Sequence, residues 1–269
     1  MKGDTDMSLT MRPGPLAGSP GDEVNFTIDG PKHRLFMHPF PRRVRARFAG
    51  ETVLDTERGR FLHETGLLPV LYVPEEDVRT DLLEKTEHTT YCPFKGDAAY
   101  WTVRVGDRAA ENAVWAYPEP NPESAWLRGH MAFYWKRMDA WFDEDEEVHG
   151  HLRDPFHRVD ARDTSRRVRV LLDGTVVAET GRSRLLSETG LPNRFYIPAE
   201  DVRRDLLTRS EKRTVCPYKG EATYWSLDGA EDAAWSYERP LEDAARIGGY
   251  LAFDHEALTI EADPPGAGA

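Results

Sequence analysis

Two halves of this chain repeat each other in register. Arg42-Arg43-Val44-Arg45 returns as Arg166-Arg167-Val168-Arg169, and Tyr91-Cys92-Pro93-Phe94-Lys95-Gly96 returns as Val215-Cys216-Pro217-Tyr218-Lys219-Gly220. Both pairs share one offset of 124 residues (166 − 42 and 216 − 92), so no gap separates them. Roughly half of the aligned positions are identical, among them Glu64-Thr65-Gly66-Leu67 with Glu188-Thr189-Gly190-Leu191. Past Trp101/Trp225 the second copy is shorter, and the offset becomes 120 (235 − 115) through Trp115/Trp235, Tyr117/Tyr237 and Phe133/Phe253. A period this long is no solenoid repeat; it predicts two like domains in tandem.

Around them the sequence predicts a disordered tail over 1–22, rich in Gly and Pro, and a first domain over 23–142. It then predicts an acidic, His-containing solvated linker over 143–163, a second domain over 164–260 and a flexible tail over 261–269.

Each half reads as mostly β. Val168–Leu172 and Thr175–Ala178 flank Asp173-Gly174, a two-residue hairpin signal, and Ala49-Gly50 holds that place in the first copy. Pro74 and Pro198 end short strands and open one short helix per domain, 74–83 and 198–207. Cys-Pro-Phe/Tyr-Lys-Gly is a turn leading into an aromatic strand, and Gly249–Phe253 and its counterpart close each domain with a last strand.

Cys216-Pro-Tyr-Lys-Gly-x-Ala-x-Tyr224-Trp225, Trp235-x-Tyr237-x-x-Pro240 and Ile247–Phe253 follow in order behind Glu-Thr-Gly-Leu and Tyr-x-x-Pro-x-Glu-Asp-Val. This set resembles the bacterial family named domain of unknown function 427, over about 42–135 and 166–254. The resemblance implies a β fold similar to the β-tent of a guanine-exchange-factor-like chaperone and of cereblon-type ligand-binding domains. The expected fold is therefore mainly β with one short helix per domain, as two tandem homologous β-tent-like domains. Relatives of that fold often hold zinc between two Cys-x-x-Cys knuckles. Each half here has a single Cys, so no metal is expected and the cofactor stays open.

Composition narrows the setting. A formal charge of −12 repels phosphate backbones, which argues against nucleic acid. No apolar run approaches a membrane helix, and Met1–Ser8 lacks signal-peptide order. Two cysteines fit a reducing, cytoplasmic setting. The tandem itself favours a monomer with its two domains paired.

The ionisable residues kept in both copies are few: Arg58/Arg182, Arg60/Arg184, Glu64/Glu188, Asp81/Asp205, Cys92/Cys216 and Lys95/Lys219. No histidine is read as shared, since His63 faces Ser187 and His88 faces Lys212. That argues against histidine-based acid–base chemistry common to both halves. Cys92 and Cys216 read as thiolates steadied by Lys95 and Lys219, or as small buried side chains, and without a partner histidine the second reading prevails. Pro93 and Pro217 and the acid after each Lys-Gly rule out a Walker-type phosphate loop. Glu64 and Glu188 read as a base, a polar ligand anchor or a local ion-pair partner.

The aromatic pairs are the other candidates: Tyr72/Tyr196, Trp101/Trp225, Trp115/Trp235 and Tyr117/Tyr237. Strand alternation sends Tyr100 and Trp101 to opposite faces and puts Trp115 and Tyr117 on one, where they would line a ligand cage or fill a core. His149, His151 and His157 fit no structural zinc spacing. The expectation is a small-molecule-binding protein with an aromatic pocket per domain and Arg60/Arg184, Glu64/Glu188 and Lys95/Lys219 as anchors. A transferase-like enzyme using Cys or Glu in the same cleft, and a structural or protein-interaction module, are the alternatives.

Overall fold

The computed structural model describes Asn25 and residues 29–264; the tail expected over 1–22 lies outside the described residues, as do 265–269 of the tail expected over 261–269, whose first two residues instead end a strand. The chain divides into two units at Asp154/Pro155. It is mainly β, as two tandem domains.

In the first domain the strands are β1 (Leu35–Pro39), β2 (Val44–Phe48), β3 (Glu51–Thr56), β4 (Arg60–Glu64), β5 (Val70–Pro74), β6 (Leu83–Cys92), β7 (Gly96–Val105), β8 (Arg108–Ala116), β9 (His130–Phe133), β10 (Ala140–Asp143) and β11 (Glu146–Val148). They form a seven-stranded antiparallel sheet, β1-β4-β5-β9-β8-β7-β6, and a four-stranded sheet, β11-β10-β2-β3. Alternation along the strands supplies two apolar faces. Val44, Ala46, Phe61, Val73, Val103, Val114 and Phe133 form the larger core. Leu62, Tyr72, Ala98, Tyr100, Tyr117, Leu127 and Ala132 form a second cluster on the other face of the long sheet.

The second domain repeats this with β12 (Val159–Asp163), β13 (Val168–Leu172), β14 (Thr175–Thr180), β15 (Arg184–Glu188), β16 (Arg194–Tyr196), β17 (Thr208–Cys216), β18 (Gly220–Leu227), β19 (Ala230–Ser236), β20 (Leu251–Phe253) and β21 (Leu258–Ala262). Its long sheet is split into β12-β15-β16 and β17-β18-β19-β20, linked by the Ile197–Leu251 bridge. The remaining sheet is β14-β13-β21.

The β13–β14 hairpin turns on Asp173 (φ +47°) and Gly174 (φ +79°), and Ala49 (φ +49°) and Gly50 (φ +85°) repeat it. Two positive φ values are what a type I′ turn requires.

The single helix expected over 74–83 is instead two 3-10 turns, Glu75–Asp77 and Thr80–Leu82. Between them Val78 is extended (φ −106°, ψ 139°) because it bridges Leu54, and the Arg79 amide donates to the Val53 carbonyl. Pairing with a strand edge wins over the local helical preference. Ala199–Asp201 and Arg204–Leu206, around the Ala178–Val202 bridge, repeat the arrangement.

The linker over 143–163 is also corrected. Asp143 ends β10, and 144–148 continue into β11 of the first domain. The acids are held by the Arg-Arg-x-Arg motif: Arg42 binds Asp143 through two bonds (2.6 and 2.7 Å), the Arg43 amide donates to Glu144, and Arg45 pairs with Asp145. Residues 159–163 are the first strand of the second domain. Neither domain ends at its Gly-x-x-Ala-Phe strand, since β10 pairs back onto β2 and β21 onto β13. Among the described residues no helix is long and apolar enough to cross a membrane.

Candidate functional site

β1 runs antiparallel to β4, placing Leu35 opposite Glu64. The backbone of Arg34 is locked to Thr65 both ways: Arg34 N–H donates to Thr65 Oγ1 (3.0 Å) and Thr65 N–H to the Arg34 carbonyl (3.2 Å). This fixes the residue before Arg34, His33, over the Glu64 carboxylate.

From the other side comes Lys95, in the turn joining β6 and β7. Its amide donates to the Cys92 carbonyl and its own carbonyl accepts from Asn121. Gly96 follows at φ +99°, where an added Cβ would meet Asn121 Oδ1 and the Glu119 carbonyl at 3.3 Å. The tightness of this turn aims the Lys95 ammonium inward.

The result is a triad. Lys95 Nζ donates to Glu64 Oε1, and His33 Nε2 lies 3.3 Å from Glu64 Oε2. Glu64 and Lys95 are buried, and the His33 ring stacks on Phe94 at 4.1 Å. Lys95 Nζ also sits 5.5 Å from the centre of the Tyr117 ring.

The second domain builds the same object. Lys219 donates to Glu188 Oε2, His157 Nε2 lies 3.0 Å from Glu188 Oε1, and the His157 ring stacks on Tyr218 at 4.1 Å. In both copies successive members stand 31 residues apart. Burial pushes the Glu188 carboxyl up, but the hydrogen bond from His157 and the Lys219 charge outweigh it and hold the group below its ordinary value.

A histidine is therefore shared after all, which corrects the reading that none is. His33 and His157 differ by 124 residues. The signal was Pro31-Lys32-His33-Arg34 against Pro155-Phe156-His157-Arg158, upstream of the Arg-Arg-x-Arg anchor.

Beside the triad lies a row of rings. Strand register puts Tyr72, Ala132, Trp115 and Tyr100 side by side across β5, β9, β8 and β7. Because Ala132 is small, Trp115 Nε1 reaches over it to donate to Tyr72 Oη at 3.2 Å, with the rings edge-on. Tyr134 leans on Trp115 with centroids 4.6 Å apart. Burial raises the pKa of Tyr72 and Tyr117, which keeps both phenols neutral hydrogen-bonding groups. In the second domain Trp235 Nε1 donates to Tyr196 Oη at 3.3 Å, and burial likewise raises Tyr196 and Tyr237.

In the first domain this row opens into a cleft of about 550 Å³ lined by His88, Tyr100, Glu111, Asn112, Tyr134, Trp135, Lys136 and Arg137. Most of this lining was missed by sequence reasoning, because it differs between the copies. At the matching positions of the second domain, Lys212 lies 4.6 Å over the Tyr224 ring and pairs with Asp232 at 3.3 Å. Arg194 covers Trp235 at 5.0 Å and Arg184 covers Tyr250 at 4.6 Å. In the second row, Trp235 and Tyr224 thus each carry a cation of the same domain over the ring.

The remaining expected residues separate. Trp101 and Trp225 point to the opposite sheet face and pack with the larger cores, away from the row. Cys92 and Cys216 are free and half-buried, at strand ends beside the aromatic clusters. Arg184 is held by Asp163 at 3.1 Å, whereas the buried Nε of Arg60 has no hydrogen-bond partner among the described residues. His149 lies 3.9 Å from Glu147, His151 contacts the Leu152 carbonyl, and His157 belongs to the triad.

Residues 36–144 and 160–264 each match the family described as a domain of unknown function (DUF427). The chain belongs to that family. No curated protein matches it. Both DUF427 segments begin just past the triad histidines, so His33 and His157 flank the matched regions while Glu64/Glu188 and Lys95/Lys219 lie inside them.

Proposed function

We propose that this protein binds a small planar molecule on the aromatic row of its first DUF427 domain. The observation that carries this reading is the cleft of about 550 Å³ at the Tyr100–Tyr134 end of that row, within the roughly 300–1,000 Å³ range of small-molecule sites. The Glu64–Lys95 pair is spent on itself, so it braces the row rather than gripping the ligand. The second domain, with Lys212 and Arg194 over the rings of its row, serves as scaffold. The two free cysteines fit a cytoplasmic setting. Calorimetric titration of the folded protein with planar bicyclic compounds tests this: binding is expected, and Tyr134→Ala with Trp135→Ala should weaken it at least tenfold. Binding unchanged in that double variant refutes the site.

The enzyme alternative draws on one observation, the His33–Glu64 and His157–Glu188 pairs, which give each domain a partly buried imidazole oriented by a carboxylate. Its test is product formation, followed by mass spectrometry, from any compound that titration identifies. Turnover lost in His33→Asn with His157→Asn supports it, and undiminished turnover disposes of it.

A further inference from the structure

The cleft also carries information about the charge of what it takes, an inference that rests on the binding reading above. Its wall is completed by the 3-10 turn Trp135–Arg137, which sets Lys136 and Arg137 next to each other, both exposed. Neither makes an ion pair among the described residues. Other cations of this domain are paired, Arg43 with Asp55, Arg58 with Asp77, Arg79 with Asp81 and Arg108 with Asp139. Two adjacent cations outside any ion pair, at the edge of a ring-lined hollow, form a local positive lip on a protein of net charge −12.

The other copy supplies the contrast. With the offset of 120 residues, Tyr134-Trp135-Lys136-Arg137 corresponds to Asp254-His255-Glu256-Ala257. Two cations and two large rings in the first domain thus stand where the second has two acids, an imidazole and a methyl group. The first domain's single acid on the cleft wall, Glu111, lies in the field of Arg104, which is itself bonded to Glu84 at 2.7 Å. His88, edge-on against Tyr100 at 4.4 Å, replaces Lys212, and Tyr134 and Trp135 line the cleft, Trp135 with one face stacked on Trp141 at 4.4 Å. Both the shape and the charge of the cleft are thus particular to the first copy.

We infer that the first domain's cleft takes a planar aromatic compound bearing an anionic group, a carboxylate or a phosphate monoester, with the ring against Tyr134 and Trp135 and the anion on Lys136 and Arg137. Arg137 offers a planar fork to such an oxyanion and Lys136 a point charge.

The test is calorimetric titration of the full chain at low salt with four probes on one ring system: 2-naphthoate, 2-naphthyl phosphate, 2-naphthamide and 2-naphthylmethylammonium. Naphthoate, the naphthyl phosphate or both should bind at least tenfold tighter than the neutral amide, and the ammonium weakest. Preference for one of the two anions over the other tells which oxyanion the lip fits. The preference over the amide should vanish in Lys136→Glu with Arg137→Glu, two exposed positions at which the variant should keep the native circular dichroism spectrum, and should shrink in about 0.5 M salt. Equal binding of both anions and the amide overturns the charge assignment and leaves the binding reading standing, as does tightest binding of the ammonium. Failure of all four probes to bind the native protein overturns the binding reading itself.

Discussion

Replacing Lys219 by Met should destabilise the second domain by about 3 kcal/mol. Lys219 and Glu188 each keep only 9% of their side-chain surface exposed, so the pair is screened little by solvent. Removing one member of such a pair strands the other charge in a poorly solvated place, at a cost of about 3–5 kcal/mol. The low end applies because His157 stays 3.0 Å from the carboxylate and can still donate to it. At about 4–8 °C per kcal/mol for a domain near this size, the melting transition of this half should fall by roughly 12–24 °C. Differential scanning calorimetry of the full chain, with chemical denaturation as a second measure, reads this directly. The double variant Glu188→Leu with Lys219→Met should recover most of the loss, since an apolar pair of similar volume needs no desolvated charge. A single-variant cost under about 1 kcal/mol, the level of an exposed ion pair, would refute the reasoning. So would a double variant that merely adds the two losses.

Three further outcomes follow from the same geometry. The Glu188 carboxyl is held below its ordinary value of 4.5, so the folded state binds fewer protons than the unfolded one. Its contribution to stability is therefore complete above about pH 4.5 and is lost as pH falls through the lower folded value, a slope that thermal melts should show in the native protein and find reduced in Glu188→Gln. Gly96→Ala and Gly220→Ala should each cost about 1–3 kcal/mol, because φ is +99° and +98° there and a Cβ would press on backbone oxygens at 3.3 Å; denaturation midpoints unchanged by either substitution would contradict this. Cys92 and Cys216, half-buried at strand ends, should be alkylated much faster in denaturant than in the native protein, as intact mass with Cys92→Ser and Cys216→Ser will show. Native labelling as fast as unfolded labelling would instead return them to the list of reactive groups.

The duplication and the strand periodicity were legible because they are local. Asp173-Gly174 announces its hairpin, and Tyr100 and Trp101 divide between the two faces as alternation requires. What stayed hidden was long-range. The acids at 143–145 look like a solvated linker until the Arg42–Asp143 pair, 101 residues apart in sequence, joins them to β2. Val78 sits in a stretch with helical spacing, yet its contact with Leu54 makes it extended. His33 and His157 were visible in principle, but only as a four-residue echo beyond the aligned block, with unlike neighbours on both sides. Their meaning comes from the β1–β4 and β12–β15 pairings, which bring them onto Glu64 and Glu188.

Comparison of the two copies also changes what a shared residue signifies. The triads recur down to their 31-residue spacing, and each ties a domain's first strand to its β-turn through a carboxylate that satisfies two donors. A buried network of this kind must be complete to be tolerated, so loss of any member is penalised in either domain whatever that domain does. Duplication therefore reports first on architecture. Recognition is freer to diverge, because a ligand needs only one competent surface per chain. In the second domain Lys212 settles on Tyr224 and Glu256-Ala257 replace the Lys136–Arg137 lip, while in the first the rings of Tyr100 and Tyr134 still border open space. The same argument places the functional weight on the positions where the halves differ, and it can be tried in reverse. Grafting Tyr, Trp, Lys and Arg onto Asp254, His255, Glu256 and Ala257, together with Lys212→His, should endow the second domain with a site of the same charge preference. A graft that folds, as circular dichroism would show, yet adds no second equivalent of bound aromatic anion would mean that the cleft depends on more than its lip and its rings.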